Sequence, residues 1–399
     1  MKKEKILILR PNNAKEISIY IHWPFCVSKC PYCDFNSHTF EKIDYSSWEK
    51  AYLEDLEKFS YLFQGKNINS IFFGGGTPSL MPPSIAASII SKISQIAYIT
   101  QDTEITLEAN PSSVESSKFE GFKQAGVNRI SIGIQSFNDK NLKFLGRKHS
   151  GKEALGALEV AGKYFDNYSF DLIYGLPDQT LDNWHKELEF ALNFASKHIS
   201  LYQLTIEKGT PFYSMHKRKE FVLPDQEVAA NLYDLTNNML EARGFELYEI
   251  SSYAQKGFES KHNLNYWQYG DYLGIGPGAH SRLSFLDEGI NRMQAAEMIY
   301  KPADWLKANK RLRNVEVLSQ QDIAKEIIMM GLRLIKGMND DVLEKFTGKR
   351  FEQIIDKPFL QKLIGAKLLE CDNAATRLSD RGIKLHSKII TEIFDHFLI

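Results

Sequence analysis

The stretch SIYIHWPFCVSKCPYCDFNSH, residues 18–38, decides the fold because it joins an apolar β-strand to a cluster of cysteines. Three of the four cysteines in the chain lie in it, at Cys26, Cys30 and Cys33, with the spacing C-x3-C-x2-C. Three thiolates from one loop can hold three irons of a [4Fe–4S] cluster and leave the fourth iron open, since complete ligation would need four cysteines. The remaining Cys371 follows AKLLE, and we expect it to be a packed thiol.

Two other uses of these cysteines remain open from chemistry alone. A Cys3His zinc site could include His22 or His38, although structural zinc sites usually close with a second ligand pair and none is visible. Disulfides would suit an oxidising compartment. The apolar run at 6–9 is too short for a signal peptide, and no stretch approaches the ~18 apolar residues of a membrane span. We therefore expect a cytoplasmic protein with reduced thiols and no membrane anchor.

The composition is that of a globular protein and excludes few functions. The chain has 399 residues, of which 43% are hydrophobic and 25% charged. Forty-nine basic residues against fifty acidic ones give a net charge of −1. This balance argues against a nucleic-acid partner, because such proteins usually carry a basic surface.

Six apolar, β-branched runs alternate with amphipathic stretches along the first half of the chain. Strands alternating with helices indicate βα units and a parallel sheet, and six units fit a partial barrel. Polar residues stand at or near the strand ends, where barrel active sites lie. The runs are ISIYIHW (17–23), INSIFF (68–73), EITLEA (104–109), RISIGIQ (129–135), YSFDLIY (168–174) and ISLYQLTI (199–206).

The pattern changes after about residue 280, which sets the expected domains. We expect an α/β fold: a partial (β/α)6 TIM-like barrel with a smaller, mainly helical C-terminal domain. The expected segments are an N-terminal extension at 1–16, the barrel core at 17–280, an irregular connector at 281–309 and a winged-helix-like domain at 310–399. The last rests on amphipathic stretches such as DIAKEIIMMGLRLI and FLQKLIGAKLLE.

The cysteine loop resembles the signature of the radical S-adenosylmethionine (SAM) superfamily, which is C-x3-C-x2-C after the first strand of a partial (β/α)6 barrel. FFGGGTPS (72–79) also resembles the glycine motif of that family. The resemblance implies a [4Fe–4S] cluster and SAM as cofactors. In that family SAM chelates the open iron, and an electron from the cluster cleaves it to methionine and a 5′-deoxyadenosyl radical.

The order of YIHWPFCVSKCPYCDF, GGGTPS, GIQSFN, LGRKHS and DLIYGLP is similar to that in the oxygen-independent coproporphyrinogen III oxidase family, over roughly residues 17–285. From chemistry alone, Arg147 could be a cation on the solvated face of a helix. Asp171 lies in an apolar strand, where burying an unpaired carboxylate is unfavourable, so we expect it to have a functional partner. The resemblance implies that the cluster is held by Cys26, Cys30 and Cys33, that cluster-bound SAM is contacted by Tyr20, Gly75 and Glu108, and that a second SAM site is lined by Tyr32, Gly76, Thr77, Gln135, Arg147 and Asp171.

Three departures from the oxidases resemble the haem-chaperone branch of the family. Phe35 stands where the oxidases carry a fourth cysteine, HNLNYW (262–267) resembles an H-N-x-x-Y-W motif, and few residues precede the first strand. The resemblance implies haem as a further cofactor, a haem-acceptor protein as partner and, where the family admits it, a homodimer. His262 is the candidate haem ligand and His280 a second one, since neutral imidazole is a common axial donor. A histidine among aromatics is also often a hydrogen-bonded core residue.

Alternative functions follow from the same residues. An oxidase that decarboxylates coproporphyrinogen III would carry the fourth cysteine that this chain lacks. Radical modification of nucleic acid would favour a basic surface, and a non-catalytic zinc protein is the remaining alternative. No catalytic residue is assigned, so the sequence leaves open whether the protein is an enzyme.

Overall fold

A twelve-stranded sheet organises the larger part of the chain. The computed structural model describes residues 9–372 and 374–398, so residues 1–8 of the predicted N-terminal extension lie outside the described residues. The strands are β1 (Glu16–Trp23), β2 (Phe25–Cys26), β3 (His38–Thr39), β4 (Asn67–Gly75), β5 (Glu104–Ala109), β6 (Arg129–Gln135), β7 (Asn167–Tyr174), β8 (His198–Gln203), β9 (Glu246–Glu249), β10 (Ser252–Ala254), β11 (Tyr272–Ile275), β12 (His280–Asp287), β13 (Ile290–Met298), β14 (Leu312–Val317), β15 (Met338–Asn339), β16 (Leu369–Cys371) and β17 (Ala375–Leu378).

Helices connect and cover these strands. They are α1 (Tyr45–Lys58), α2 (Pro83–Ile96), α3 (Ser113–Ser116), α4 (Phe119–Gln124), α5 (Asp139–Phe144), α6 (Gly151–Tyr164), α7 (Leu181–Leu192), α8 (Pro211–Lys217), α9 (Gln226–Glu241), α10 (Lys261–Trp267), α11 (Pro302–Lys307), α12 (Gln320–Gly331), α13 (Asp340–Thr347), α14 (Phe351–Ile354), α15 (Lys357–Gly365), α16 (Asp380–Ile383) and α17 (His386–Asp395). None of the described helices is long and apolar enough to span a bilayer.

The predicted partial barrel is confirmed. Strands β1, β4, β5, β6, β7 and β8 lie side by side in that order and pair in parallel. Each of the six apolar runs falls on one of these strands, because a parallel sheet buried on both faces needs near-continuous apolar sequence. Strand β11 adds a seventh parallel strand beside β1, with Ser18 opposite Tyr272.

The prediction that residues 281–309 form an irregular connector was wrong. Strands β12 and β13 pair antiparallel along their length, and β14 continues the same sheet. The turn between β12 and β13 is the pair Glu288-Gly289, with φ of 51° and 82°. Two positive φ values suit the tight turns that match the twist of paired strands. The apolar positions of this hairpin follow no strict alternation, which hid it in the sequence.

A second hydrophobic core holds the C-terminal region together. It includes Ile327, Leu343, Phe359 and Ile393 from four helices, and a three-stranded antiparallel sheet of order β15-β17-β16 lies beside them. Strand β14 belongs to the main sheet although it lies inside the range 310–399 predicted for this domain. Cys371 is partly buried against the second core, as expected of a packed thiol.

Candidate functional site

The cysteine loop leaves the carboxyl end of β1 and is anchored at both ends. Phe25 packs edge-on against Trp23 and Trp48, with ring centroids 5.4 and 5.0 Å apart. The two-residue strand β2 pairs with β3, which brings Cys26 opposite Thr39. Between them the backbone N–H of Cys33 donates to the carbonyl of Cys30 at 3.1 Å. All three thiols are free and partly exposed.

Each of the three thiols has a polar partner. The hydroxyl of Thr77 donates to Cys26 Sγ at 3.3 Å, and Arg147 Nη1 donates to Cys30 Sγ at 3.5 Å. Cys33 Sγ lies 3.8 Å from the hydroxyl of Ser37. Iron binds the thiolate form, which such donors favour. The donor set therefore fits the predicted cluster.

The zinc alternative loses support because its histidines are engaged elsewhere. His22 Nδ1 lies 3.0 Å from the Tyr20 hydroxyl, and His22 Nε2 lies 2.9 Å from the Asn36 carbonyl. His38 Nε2 lies 2.7 Å from Asn36 Oδ1. Within residues 9–372 and 374–398, no three His, Cys, Asp or Glu side chains group so as to hold a single metal ion. A four-iron cluster binds each cysteine through a different iron, so it does not need that convergence.

The glycine motif lies against the cysteine loop. Gly75 has φ of +109°, and a Cβ there would come within 2.4 Å of the His22 ring. Only glycine therefore fits this position without displacing the histidine. The N–H of Gly76 donates to the Trp23 carbonyl at 2.7 Å, and the N–H of Thr77 donates to the Phe25 carbonyl at 2.8 Å. These bonds fix the end of β4 against the start of the cysteine loop.

Two carboxyl groups face the same space from β5 and β7. Glu108 Oε2 accepts the Gly75 N–H at 3.1 Å. Desolvation and the nearby Asp171 carboxylate raise the pKa of Glu108 to about 8. Desolvation also raises the pKa of Asp171, to about 6, while Arg129 and the Ser200 hydroxyl oppose the rise. At neutral pH the first carboxyl is mostly protonated and the second mostly ionised.

Arg147 and Gln135 complete the site from the opposite side. Arg147 Nη2 donates to Asn110 Oδ1 at 2.5 Å and to the Gly133 carbonyl at 2.6 Å. These contacts contradict the alternative that Arg147 is a solvated helix cation. Gln135 ends β6 with φ of 71°, and its buried Oε1 has no hydrogen-bond partner among the described residues. A strained residue with an unpartnered buried oxygen suits a ligand-binding position.

The structure brings most of the predicted residues to one cavity at the carboxyl ends of the parallel strands. Tyr20 lines an adjoining cavity instead. The sequence-based site missed Asn110, although its place after β5 was a usable signal: its Nδ2 donates to the Thr77 hydroxyl at 3.0 Å. The predicted residues lining the shared cavity are Cys26, Cys30, Tyr32, Cys33, Gly75, Gly76, Thr77, Glu108, Gln135, Arg147 and Asp171.

The structure places His262, the predicted haem ligand, inside the fold. The side chain of His262 is 1% exposed. Its Nδ1 lies 2.7 Å from the Ser70 hydroxyl and its Nε2 lies 2.8 Å from the Tyr266 hydroxyl. The ring stacks on Phe72 at 4.8 Å between centroids. Because both ring nitrogens are engaged and the ring is buried, His262 packs α10 against the barrel strands.

Glu104 explains why the HNLNYW helix lies where it does, and sequence reasoning gave it no role. It stands at the start of β5 and is buried. Its carboxylate accepts the backbone N–H groups of Lys261 and His262 at 3.1 and 3.2 Å. These are the first N–H groups of α10, which have no partners inside the helix. No local pattern links residues so far apart in the chain.

The comparisons with known proteins first establish the class. A model of the Radical SAM superfamily matches residues 20–191, and a model of the HemN C-terminal domain matches residues 318–385. The solved structure of coproporphyrinogen III oxidase (HemN) from Escherichia coli superposes with a TM-score of 0.78, covering 96% of this chain and 91% of that one at 20% identity. Fold and site therefore define a radical SAM protein.

Curated relatives narrow this to a family. "Heme chaperone HemW" of Escherichia coli is 42% identical over 278 residues, which cover 69% of this chain and 72% of that protein. "Radical S-adenosyl methionine domain-containing protein 1, mitochondrial" of Bos taurus is 36% identical over 395 residues, covering 95% and 88%. The chain belongs to the HemN-like family of radical SAM proteins, near HemW.

The raised pKa of Glu108 leads to a prediction about SAM binding. Below pH 8 this carboxyl is protonated, and a cationic sulfonium favours its ionised form. Binding should therefore release a proton, and the affinity should rise with pH until it levels off near pH 8. Titration calorimetry of the reconstituted protein at several pH values would measure this.

The control is Glu108→Gln, which should reduce the slope of SAM affinity against pH. An equal slope in both proteins would exclude Glu108 from the linkage, since Asp171 titrates lower, near pH 6.

Proposed function

We propose that this protein is a haem chaperone of the radical SAM type, which binds haem and transfers it to an acceptor protein. The observation that carries the proposal is that Phe35, two residues after Cys33, occupies the position at which the oxidases carry a fourth cysteine. The side chain of Phe35 is 58% exposed. It lines both the cavity of the three thiols and the adjoining cavity of Tyr20. The name of the HemW relatives supports the same function.

The resident cofactors proposed for this activity are a [4Fe–4S] cluster and SAM. Cys26, Cys30 and Cys33 would hold the cluster, and Gly75 with Glu108 would contact SAM beside it. When bound, the cluster supplies an electron that can cleave SAM. Arg147 and Asp171 would orient the polar groups of a second SAM molecule, because they present opposite charges to the same cavity. Tyr32, Gly76, Thr77 and Gln135 would complete its walls.

The alternative function is the oxidase reaction, in which propionate side chains of coproporphyrinogen III lose carbon dioxide. The described residues favour the chaperone, because the site holds three thiols and Cys371 packs against the second core. A cytoplasmic location, an acceptor protein as partner and a homodimer stay predictions. A mitochondrial location belongs to relatives such as the Bos taurus protein by its name.

A haem titration and a turnover assay on one reconstituted sample distinguish the two functions. After anaerobic reconstitution with iron and sulfide, we expect the protein to bind haem in a spectroscopic titration. The same sample, given SAM, a reductant and coproporphyrinogen III, should form no decarboxylated product. Product formed in step with SAM consumption would support the oxidase. A sample that neither binds haem nor forms product would contradict both.

A further inference from the structure

We propose that haem binds in the cavity next to the cluster loop, with His280 as the axial ligand of its iron. This inference rests on the proposed haem-chaperone function and assigns its cargo site. We call this cavity the His280 groove. It lies between the cysteine loop and the β11–β12 turn, and its lining includes Phe35, Asn36, Gly278, His280 and Tyr300.

The first support is the state of the His280 imidazole. His280 begins β12 and is exposed. In the part of the chain that the structure describes, neither ring nitrogen of His280 makes a hydrogen bond. Partial desolvation lowers its pKa, as do Arg282 and Arg313, while Glu297 opposes them. A neutral, unpartnered imidazole at a cavity wall is the form that binds haem iron. Burial lowers the pKa of His262 to about 3, so that imidazole is neutral too, but both of its ring nitrogens have hydrogen-bond partners.

The second support is the aromatic lining. Phe35 is 58% exposed and Tyr300 is 45% exposed, both at this groove. Exposed aromatic side chains facing one cavity suit the faces of a flat, apolar macrocycle. The volume of the groove is about 370 Å3, and the groove opens to solvent. Ligand pockets of roughly 300–1,000 Å3 accommodate molecules of this size class.

The third support is that the groove is built by two segments held firmly together. Asn36 Nδ2 donates to the carbonyls of Pro277 and Tyr300, each at 2.9 Å. Gly278 has φ of +72°, and a Cβ there would come within 2.5 Å of Asn36 Nδ2. The cysteine loop and the GPGAH turn therefore meet closely, and glycine permits it. The walls exist before any ligand enters.

Two cations that could pair with the propionates of haem lie beside the groove residues Phe35 and His280. Lys29 Nζ donates to the Phe35 carbonyl at 3.1 Å on the loop side. Arg313 lies on the sheet side, where it pairs with Glu297 at 2.8 Å. Carboxylates held near such cations would remain in water while the ring enters the groove. Exposure of one edge also suits cargo that must later pass to another protein.

The test uses the full reconstituted chain and two porphyrins. Haemin (the iron(III) porphyrin) and metal-free protoporphyrin IX would be titrated against the wild type and His280→Ala. We expect His280→Ala to weaken haemin binding about tenfold or more and to move its Soret band, with protoporphyrin affinity unchanged within about twofold. Added imidazole should restore the haemin spectrum. His185→Ala, which removes an exposed histidine on α7, should match the wild type.

The outcomes separate this inference from the function on which it rests. A wild type that binds no haemin would contradict the haem-chaperone proposal itself. A wild type that binds haemin and a His280→Ala variant with the same spectrum and affinity would overturn only the ligand assignment. Equal loss of both porphyrins in His280→Ala would also overturn it. Tyr300→Ala should weaken both porphyrins, and no effect on either would exclude the groove. Iron and sulfide contents would verify that each variant keeps its cluster.

Discussion

Cys26→Ser should abolish the iron–sulfur cluster, which is the largest effect that we expect from a single substitution. Serine offers a hydroxyl that stays protonated at neutral pH, whereas iron in these clusters is held by thiolates. Two remaining cysteines would leave a second iron without a protein ligand. After anaerobic reconstitution, iron and sulfide should fall from about four of each per chain, the content of a [4Fe–4S] cluster, to near background.

The matched control is Cys371→Ser. Cys371 is partly buried against the second core, and its thiol accepts a hydrogen bond from Thr376 at 3.7 Å. Its replacement should leave iron and sulfide contents at the wild-type level. A Cys26→Ser protein with full iron and sulfide would refute the ligand assignment. Loss of the cluster in Cys371→Ser would show that a fourth protein thiol takes part.

His262→Ala should destabilise the fold strongly instead of removing a haem ligand. The change deletes a buried ring that stacks on Phe72 and contacts the hydroxyls of Ser70 and Tyr266. Removing such a ring leaves a cavity and unpaired hydroxyls, which together cost about 3 kcal/mol in the free energy of unfolding. Urea denaturation followed by circular dichroism would show a lower midpoint.

His185→Ala again serves as the control, because an exposed imidazole contributes little to stability. Folded His262→Ala, isolated at low temperature, should still bind haemin with the wild-type spectrum. An unchanged urea midpoint together with loss of haemin binding would support His262 as a haem ligand. In that case the interpretation based on the HNLNYW motif would hold.

Much of the barrel could be predicted because its signals are local. The strand from Glu104 to Ala109 and that from Arg129 to Gln135 begin and end where their apolar runs do. A strand that is buried on both faces can be predicted from a short run of consecutive apolar residues. The hairpin between His280 and Met298 was missed because its apolar residues do not alternate strictly. Its only clear signal was the turn at Glu288 and Gly289.

The candidate site was predictable to the extent that it lies at strand ends. Parallel strands place their carboxyl ends on one face, so Glu108, Gln135 and Thr77 meet there without further information. The environment of Arg147 was not predictable, because its partners Asn110 and Gly133 come from two other segments. A side chain can be assigned to a site from sequence more readily than its partners can.

By itself the sequence determined the cysteine loop, the six parallel strands and the face on which the polar residues gather. Each of these depends on spacings of a few residues, which the chain carries locally. Only the tertiary structure decided which histidine is free to bind a ligand. His262 is enclosed by Ser70 and Tyr266 and its helix is held by Glu104, whereas His280 opens onto a groove. Burial and hydrogen bonding depend on residues that are distant in sequence, so two similar imidazoles acquire different environments.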